Sequence, residues 1–129
     1  MGKDGDHYSI LWEDRGTVCE FSGDLKIEDI DEANERLSHD PRYYKHSYSI
    51  WDYSNSNLSR VHSGDLMSAV AMDLGAAVTL GKFKVGLVAA DEHSRDLCEV
   101  YVRESKRFRS PWTFKVFAYI DEARAWVEE

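Results

Sequence analysis

The sequence predicts a single α/β domain built on one mixed, mostly parallel sheet of five strands, with four helices. Two observations predict this class. From residue 48 onward, strand-like and helix-like segments alternate, which is typical of right-handed βαβ units and a parallel sheet. Residues 85–90 are almost continuously apolar, as expected for a parallel strand covered on both faces. A strand pair at the N-terminus adds one antiparallel edge strand, so the predicted order is β-β-α-β-α-β-α-β-α.

The first two strands form a predicted hairpin. Residues 7–13 carry aromatic and aliphatic side chains at every second position, and residues 17–22 alternate in the same way. Residues 14–16 lie between them and include a glycine, which tolerates positive φ in a turn.

The first helix is predicted over residues 28–38, where apolar residues recur at helical spacing and acidic residues occupy the other side. Pro41 follows shortly, and the residue before a proline avoids the helical conformation, so the helix ends there. Residues 48–53 then form the third predicted strand. Residues 54–62 are rich in serine and asparagine and are predicted to be a loop.

The second helix is predicted to begin at Ser63, whose hydroxyl would accept a hydrogen bond from a first-turn amide as an N-cap. It runs to Leu80, and Gly81 is the expected residue after its end. The apolar stripe of this helix consists of Leu66, Val70, Leu74 and Ala77.

The rest of the chain continues the alternation. Residues 83–90 form the clearest strand, and Asp91 is the predicted N-cap of the third helix. Residues 113–117 form the last strand. Asp121 is the predicted N-cap of a short final helix.

Composition and charge limit the class of partner. The formal net charge is −8, from 24 acidic and 16 basic residues, which disfavours nucleic acid because such binding needs Lys and Arg to displace counterions. The charge equally disfavours anionic membrane surfaces, and a basic protein partner stays open. With no signal peptide and no apolar run of ~18 residues, the chain is predicted to be cytoplasmic, without membrane insertion. It is predicted to be one domain, residues 1–129, with residues 1–6 as a flexible N-terminus.

No cofactor, metal site or catalytic constellation is predicted. The five histidines show no HxxxH or HxH spacing, and there is no phosphate-binding glycine-rich loop. Cys19 and Cys98 are predicted to be small buried side chains, because neither has a CxxC motif or a nucleophile signature nearby.

Polar residues follow several strands at one predicted edge of the sheet. Ligands of open α/β sheets bind beyond the carboxyl ends of parallel strands, and the backbone amides of a helix N-terminus at that edge can bind anions. The candidate binding or interaction residues there are Asp24, Asp52, Ser54, His62, Ser63, Gly64, Asp91 and His93. Each also has a simpler explanation, since Ser63 and Asp91 suit helix caps and Asp52 suits a hydrogen bond to the following amides.

Three segments carry a family resemblance: residues 21–25 (Phe-Ser-Gly-Asp-Leu), residues 52–54 followed by residues 63–66, and residues 117–126 at the C-terminus. Together they resemble the STAS domains of bacterial anti-sigma-factor antagonists, and especially SpoIIAA-like bacterial proteins of unknown function. The resemblance covers residues 8–126 and implies the same STAS-like fold.

The resemblance also implies a site. In the antagonists a strand ends in Asp-x-Ser, and a helix opens with Asp-Ser-Ser-Gly-Leu, whose second serine is phosphorylated by a partner kinase. Asp52 and Ser54 match the first motif, and Ser63-Gly64 matches the serine-glycine pair, which implies Ser63 as the phosphorylation site. This sequence departs from the second motif, since Val-His precedes Ser63 and Asp65 is interposed before the leucine. The wider group is also similar to the CRAL-TRIO lipid-transfer domains.

Three functions stay open. The leading hypothesis is a non-enzymatic regulatory or protein-interaction domain, monomeric or homodimeric, with residues 52–54 and the helix at Ser63 as its contact face. The alternative is a carrier for a small apolar ligand or lipid. Its pocket would be lined by Trp51, Met67, Tyr101 and Trp112. The third is a small hydrolytic or other enzyme that uses His62 or His93 as an acid-base group.

Overall fold

The computed structural model describes residues 5–129, which form one five-stranded sheet and its covering helices. The strands are β1 (Tyr8–Trp12), β2 (Gly16–Asp24), β3 (Tyr48–Asn57), β4 (Lys84–Val88) and β5 (Thr113–Phe117). The α-helices are α1 (Ile27–Ser38), α2 (Met67–Leu80), α3 (Glu92–Arg107) and α4 (Ile120–Val127), and short 3-10 helices span Pro41–Lys45 and Ser63–Leu66. The strands lie in the order β1-β2-β3-β4-β5, with β1 antiparallel to β2 and the other neighbours parallel. The predicted fold class is confirmed.

β3 is longer than predicted. Residues 54–57, predicted to be loop, continue the strand because they pair with the end of β2, where Ser22 lies opposite Asn55 and Asp24 opposite Asn57. A register irregularity between Glu20 and Ser22 precedes this extension. The backbone groups are satisfied by the ladder even though the side chains are polar, and this is why composition alone indicated a loop.

One face of the sheet is covered by α4 alone. Val18, Ile50 and Val88 from the strands pack against Ala123 and Val127 of α4. Gly86 of β4 lies under Ala123, since a Cβ built on it would lie 3.5 Å from the Cβ of Ala123, an ordinary contact distance. We call this the α4 face.

The opposite face is covered by α1, α2 and α3 and holds the larger core. Trp51 and Tyr53 alternate along β3 with Ile50 and therefore point to this side. In the part of the chain that is described, α2 makes its main close approaches to α1, α3 and the two 3-10 helices rather than to the strands. We call this the three-helix face.

Two predicted helix starts are wrong and one is confirmed. Ser63 is not the N-cap of α2, because a 3-10 helix precedes α2 and the Asp65 carboxylate accepts from the His62 amide at 2.9 Å. Asp121 lies inside the first turn of α4, which begins after Tyr119. Asp91 does cap α3, and its side chain accepts from the Ser94 amide at 2.8 Å.

The predicted flexible N-terminus covers residues 1–6, of which residues 1–4 lie outside the described residues. The Gly5 amide donates to the Tyr8 carbonyl at 3.2 Å. Cys19 on β2 and Cys98 on α3 are buried, as predicted. Within residues 5–129, no helix has the length and apolar character needed to cross a membrane.

Candidate functional site

Asp52 and Ser54 lie on the α4 side of the sheet. Asp52 is two residues beyond Ile50 on β3 and therefore points to the same face. The Oδ1 atom of Asp52 accepts from the Ser54 amide at 3.0 Å and from its hydroxyl at 2.6 Å. This is the local hydrogen-bonding arrangement that the sequence offered as the simpler explanation for Asp52.

Asp24 and His93 hold the chain ends of neighbouring elements together. The Asn57 side-chain amide donates to the Asp24 carboxylate at 2.9 Å, which joins the ends of β2 and β3. The Nε2 atom of His93 lies 3.0 Å from the Leu58 carbonyl and joins the first turn of α3 to the segment after β3. Both contacts stabilise the carboxyl edge of the sheet.

His62, Ser63 and Gly64 are exposed at the start of the 3-10 helix before α2. They precede a helix of the three-helix face, whereas Asp52 and Ser54 belong to the α4 side. The eight predicted residues thus lie on different sides of the sheet, and none of them lines the cavity described below. Residues 5–129 contain no group of three or more His, Cys, Asp or Glu side chains placed to bind a metal.

A cavity lies instead inside the three-helix face. Its volume is about 40 Å³. The lining residues come from β3, β4, all three helices of this face and the segment between β3 and α2: Ile30, Asn34, Trp51, Tyr53, Leu58, Val61, Leu66, Ala69, Asp73, Leu87, Leu97, Cys98 and Tyr101. Most of these side chains are apolar or aromatic, which is typical of small-molecule sites.

The predicted pocket for an apolar ligand agrees with this cavity only in part. Trp51 and Tyr101 line the cavity. Met67 does not, because it points outward from α2 and is 39% exposed. Trp112 packs instead against Phe83 and Phe114, at ring-centroid distances of 4.8 and 6.4 Å.

Asn34, Asp73 and Tyr101 form a buried polar cluster at the cavity, and of these three only Tyr101 was predicted as a pocket residue. Asp73 is 7% exposed. The Tyr101 hydroxyl donates to its Oδ2 atom, and the Asn34 side-chain amide donates to its Oδ1 atom at 3.3 Å. Burial raises the pKa of Asp73 to about 7, although both hydrogen bonds act in the opposite direction. Asp73 is therefore poised to gain or lose a proton near neutral pH.

A sequence signal for Asp73 was present. On α2, Asp73 follows Ala69 and Val70 by four and three residues and precedes Ala76 and Ala77 by three and four, so it falls on the buried stripe. A charged residue at such a position is unfavourable unless it has a structural or functional role. It is also the only charged residue among the fourteen of α2.

The other titratable groups of the cavity stay protonated near neutral pH. Burial raises the pKa of the Cys98 thiol to about 12, which removes the thiolate that a nucleophilic cysteine needs. Burial also raises the pKa values of Tyr53 and Tyr101 well above 10. Asp73 is thus the cavity group whose charge changes near neutral pH.

Comparisons with known proteins identify the fold. No protein-family model matches this sequence, and no relative is found among the curated proteins. The solved structure of the anti-sigma factor antagonist SpoIIAA in its unphosphorylated form is similar to this one, with a TM-score of 0.60 and 16% identity over 94% of this chain and 96% of that chain. The chain has the SpoIIAA-like fold.

A second solved structure has the same SpoIIAA-like fold. It is an uncharacterized protein of the DUF3478 family from Shewanella loihica PV-4, similar with a TM-score of 0.51 and 18% identity over 98% of this chain and 99% of that chain. At these identities the likeness is one of fold. It confirms the SpoIIAA-like fold that the sequence resemblance implied.

Proposed function

We propose that this chain is a non-enzymatic regulatory domain of the STAS type that binds a small apolar ligand in the cavity of the three-helix face. One observation carries the proposal. Asp73 and the two residues hydrogen-bonded to it, Asn34 and Tyr101, line a cavity whose other walls are mostly apolar. Ligand sites typically combine apolar walls with a few convergent polar groups that fix the orientation of the ligand.

The position of α2 supports the same proposal. The cavity, at about 40 Å³, exceeds the ~10–15 Å³ that one water molecule needs and has room for a few water-sized groups. A larger ligand therefore requires one wall to move, and the β3–β4 pair is held by a continuous ladder. The helical walls are not held by such a ladder, and we expect α2, which carries the lining residues Ala69 and Asp73, to be the wall that moves outward.

Native mass spectrometry on gently purified protein tests the proposal. We expect a non-covalent adduct that disappears under denaturing conditions and whose mass identifies the ligand. Ala69→Val adds two methyl groups on the cavity side of α2 and should reduce the fraction of protein that carries the adduct. The matched control is Ala71→Val, since Ala71 is exposed on the outer side of the same helix and should retain the adduct.

Two results would count against the cavity. One is a wild-type protein without any adduct that also fails to bind added apolar probes. The other is equal ligand occupancy in Ala69→Val and in wild type. Equal reduction in Ala69→Val and Ala71→Val would point to a general effect on α2 rather than to occupied space.

A second candidate function, regulation by protein contact, is favoured by an exposed surface next to Ser63. SpoIIAA, whose fold this chain shares, antagonises an anti-sigma factor. Here Ser63 is exposed, and the outer side of α2 continues the surface with Met67 at 39% and Val78 at 87% exposure. Phosphorylation of Ser63 is the less favoured part of this candidate, because the Asp65 carboxylate beside it would repel a phosphate.

Affinity capture with two variants tests this second candidate. A partner that binds the wild type should be lost with the double variant Ser63→Ala, Val78→Asp. Tyr119→Asp is the control, because Tyr119 is 70% exposed just before α4 and lies away from the proposed surface. A partner that the double variant captures as well as the wild type does would exclude this surface.

A further inference from the structure

The carboxyl group of Asp73 is buried without a cation. The ion pairs formed within residues 5–129 join side chains near the surface, and none of them includes Asp73. Buried carboxylates in proteins are ordinarily paired with a positive charge or are kept neutral, because an unpaired charge away from water is costly. Among the described residues, Asp73 therefore lacks the cationic partner that would normally accompany a buried carboxylate.

The hydrogen bonds of Asp73 leave acceptor positions on its carboxylate unused. An ionised carboxylate offers about four acceptor positions on its two oxygens. Tyr101 uses one on Oδ2, and Asn34 uses one on Oδ1 at 3.3 Å, slightly beyond the usual range for an N–H···O bond. Since Asp73 lines the cavity, we expect a donor bound there to use one of the remaining acceptor positions.

The walls around Asp73 also suit a cation. Trp51, Tyr53 and Tyr101 line the same cavity, and aromatic rings attract an ammonium group placed within ~6 Å of their faces. The remaining lining side chains, such as Leu87 and Leu97, contact apolar groups well. The cavity thus joins one anionic acceptor, three aromatic rings and an aliphatic wall.

We propose, on the basis of the proposed ligand-binding function, that the ligand is a small alkyl or aryl amine whose protonated amino group is bound by Asp73. A ligand with a carboxylate or phosphate would be repelled by Asp73. A neutral alcohol would supply a hydrogen bond but leave the buried charge unpaired. An ammonium group supplies both the donor and the compensating charge, while its apolar part contacts the aliphatic wall.

Three four-carbon probes of different charge test this inference: n-butylamine, 1-butanol and butyrate. Each is titrated at pH 8 into ¹⁵N-labelled full-length protein, and the shifts of the Ala69 and Leu87 amides and of the Trp51 indole report binding in the cavity. An alkylamine keeps its proton at this pH, as a lysine side chain with pKa ~10.4 does. We expect n-butylamine to bind at least about tenfold more tightly than 1-butanol, and butyrate to bind most weakly.

Two variants test whether Asp73 causes the preference for n-butylamine over 1-butanol. Asp73→Asn keeps the shape of the side chain and should bind n-butylamine and 1-butanol with similar affinity. The matched control is Asp31→Asn, because Asp31 is an acidic residue of α1 that bonds to Ser68 of α2 outside the cavity. It should keep the tenfold preference. If Asp73→Asn does not fold, the order of the affinities of the three probes for the wild-type protein still tests the inference.

The outcomes separate the inference from the function on which it rests. Equal affinity of the wild type for n-butylamine and 1-butanol would overturn the amine inference and leave the cavity as an apolar ligand site. Loss of the preference in Asp31→Asn as well would also overturn it, because the acidic surface would then explain the attraction. Failure of all three probes to shift the cavity resonances would overturn the proposed function and the inference together.

Discussion

The two faces of the sheet are covered by helices in different ways. On the α4 face, one helix lies on the strands, and Ala123 of α4 is completely buried against Val18, Ile50 and Val88. On the three-helix face, three helices cover a wider area, and a cavity of about 40 Å³ is left against β3 and β4. Small side chains are packed between helix and sheet on the α4 face, whereas the three-helix face contains a cavity.

The two faces also differ in where their carboxylates lie and in whether these are paired with a cation. Near α4, the Glu13 carboxylate lies at the rim, where it accepts from Arg124 at 2.9 Å and from the Tyr48 hydroxyl at 2.6 Å. On the three-helix face, Asp73 is central and has no cationic partner among the described residues. A carboxyl group that lowers stability and has a strongly shifted pKa marks a functional site more often than a structural one. The comparison therefore favours the three-helix face as the site of binding.

The largest expected effect concerns Asp73. Its folded-state pKa of about 7 exceeds the ordinary value of 3.8, so the folded protein holds a proton that the unfolded chain has released between these pH values. The free energy of unfolding should therefore fall by roughly 4 kcal/mol as pH rises from about 4 to about 7, and this contribution should then stay constant. Asp73→Asn should lose this decline, as urea denaturation at pH 4 to 8 can measure.

The contribution of Asp73 is the difference between the two pH profiles, because other titrating groups act equally in wild type and variant. Tyr101 and Tyr53 do not interfere, since burial raises their pKa values well above 10. Parallel profiles for wild type and Asp73→Asn would show that Asp73 is not kept neutral by burial. The contrast between a central and a rim carboxylate would then fail.

The next prediction compares how tightly the two faces are packed by making the same change, alanine to valine, on each. Ala123→Val should lower the free energy of unfolding by about 2–3 kcal/mol, because Ala123 is completely buried in the core of the α4 face and the added methyl groups overpack it. Ala69→Val should change it by less than about 1 kcal/mol, because the cavity receives the added atoms. Chemical denaturation measures both. Ala71→Val, exposed on α2, controls for the weaker helix propensity of valine.

Equal losses in Ala69→Val and Ala123→Val would mean that both faces are packed to the same density. A gain in Ala69→Val together with weaker ligand binding would sharpen the comparison, since the same space would then serve stability or binding but not both.

The fold could be predicted from periodicity, but local exceptions could not. The last strand was predicted at residues 113–117 and spans Thr113–Phe117, because its alternation is not interrupted. Residues 54–57 were missed as strand because polar side chains carry no burial signal at the exposed end of a sheet. The 3-10 helix Pro41–Lys45 was not predicted either. It begins where the Asp40 carboxylate accepts from the Arg42 amide at 2.9 Å, a contact that alternation and helical spacing do not reveal.

Only part of the candidate site could be predicted from the sequence. Asp73 could have been found as a charge on an apolar stripe. Its partners could not, because Asn34 and Tyr101 are 39 and 28 positions away along the chain and meet it only when α1, α2 and α3 pack together. The predicted edge residues, such as Asp52 and His93, were chosen by strand ends, and that rule does not distinguish the two faces of the sheet.

A smaller effect tests the rim of the α4 face. Tyr48→Phe removes the hydroxyl that donates to Glu13 and should lower the free energy of unfolding by about 1–2 kcal/mol near pH 7. Burial alone would raise the pKa of Glu13, but hydrogen bonds from Arg124 and Tyr48 lower it overall. A lowered folded-state pKa gives stability that is present above the ordinary value of 4.5 and is lost as pH falls through the folded value. The difference between wild type and Tyr48→Phe should therefore shrink toward pH 3.

Tyr44→Phe is the matched control for this prediction, because the Tyr44 hydroxyl donates to a neutral acceptor, the Ser38 carbonyl, at 2.7 Å. Its cost should not change between pH 7 and pH 3. A cost of Tyr48→Phe that is equally independent of pH would show that the hydroxyl does not act through the Glu13 carboxylate.

The smallest expected effect is a gain in stability on α2. A Cβ added at Gly75 would meet no atom within 4 Å, and Gly75 is exposed on the helix, so Gly75→Ala should raise the free energy of unfolding by about 0.5–1 kcal/mol. If α2 moves as one helix when a ligand enters, the affinity of the cavity for 1-butanol should stay unchanged, because alanine stiffens the helix without occupying the cavity. A loss of affinity would instead show that α2 bends or unwinds at Gly75 to admit the ligand, and would place the mobile element of the three-helix face within α2 rather than at its ends.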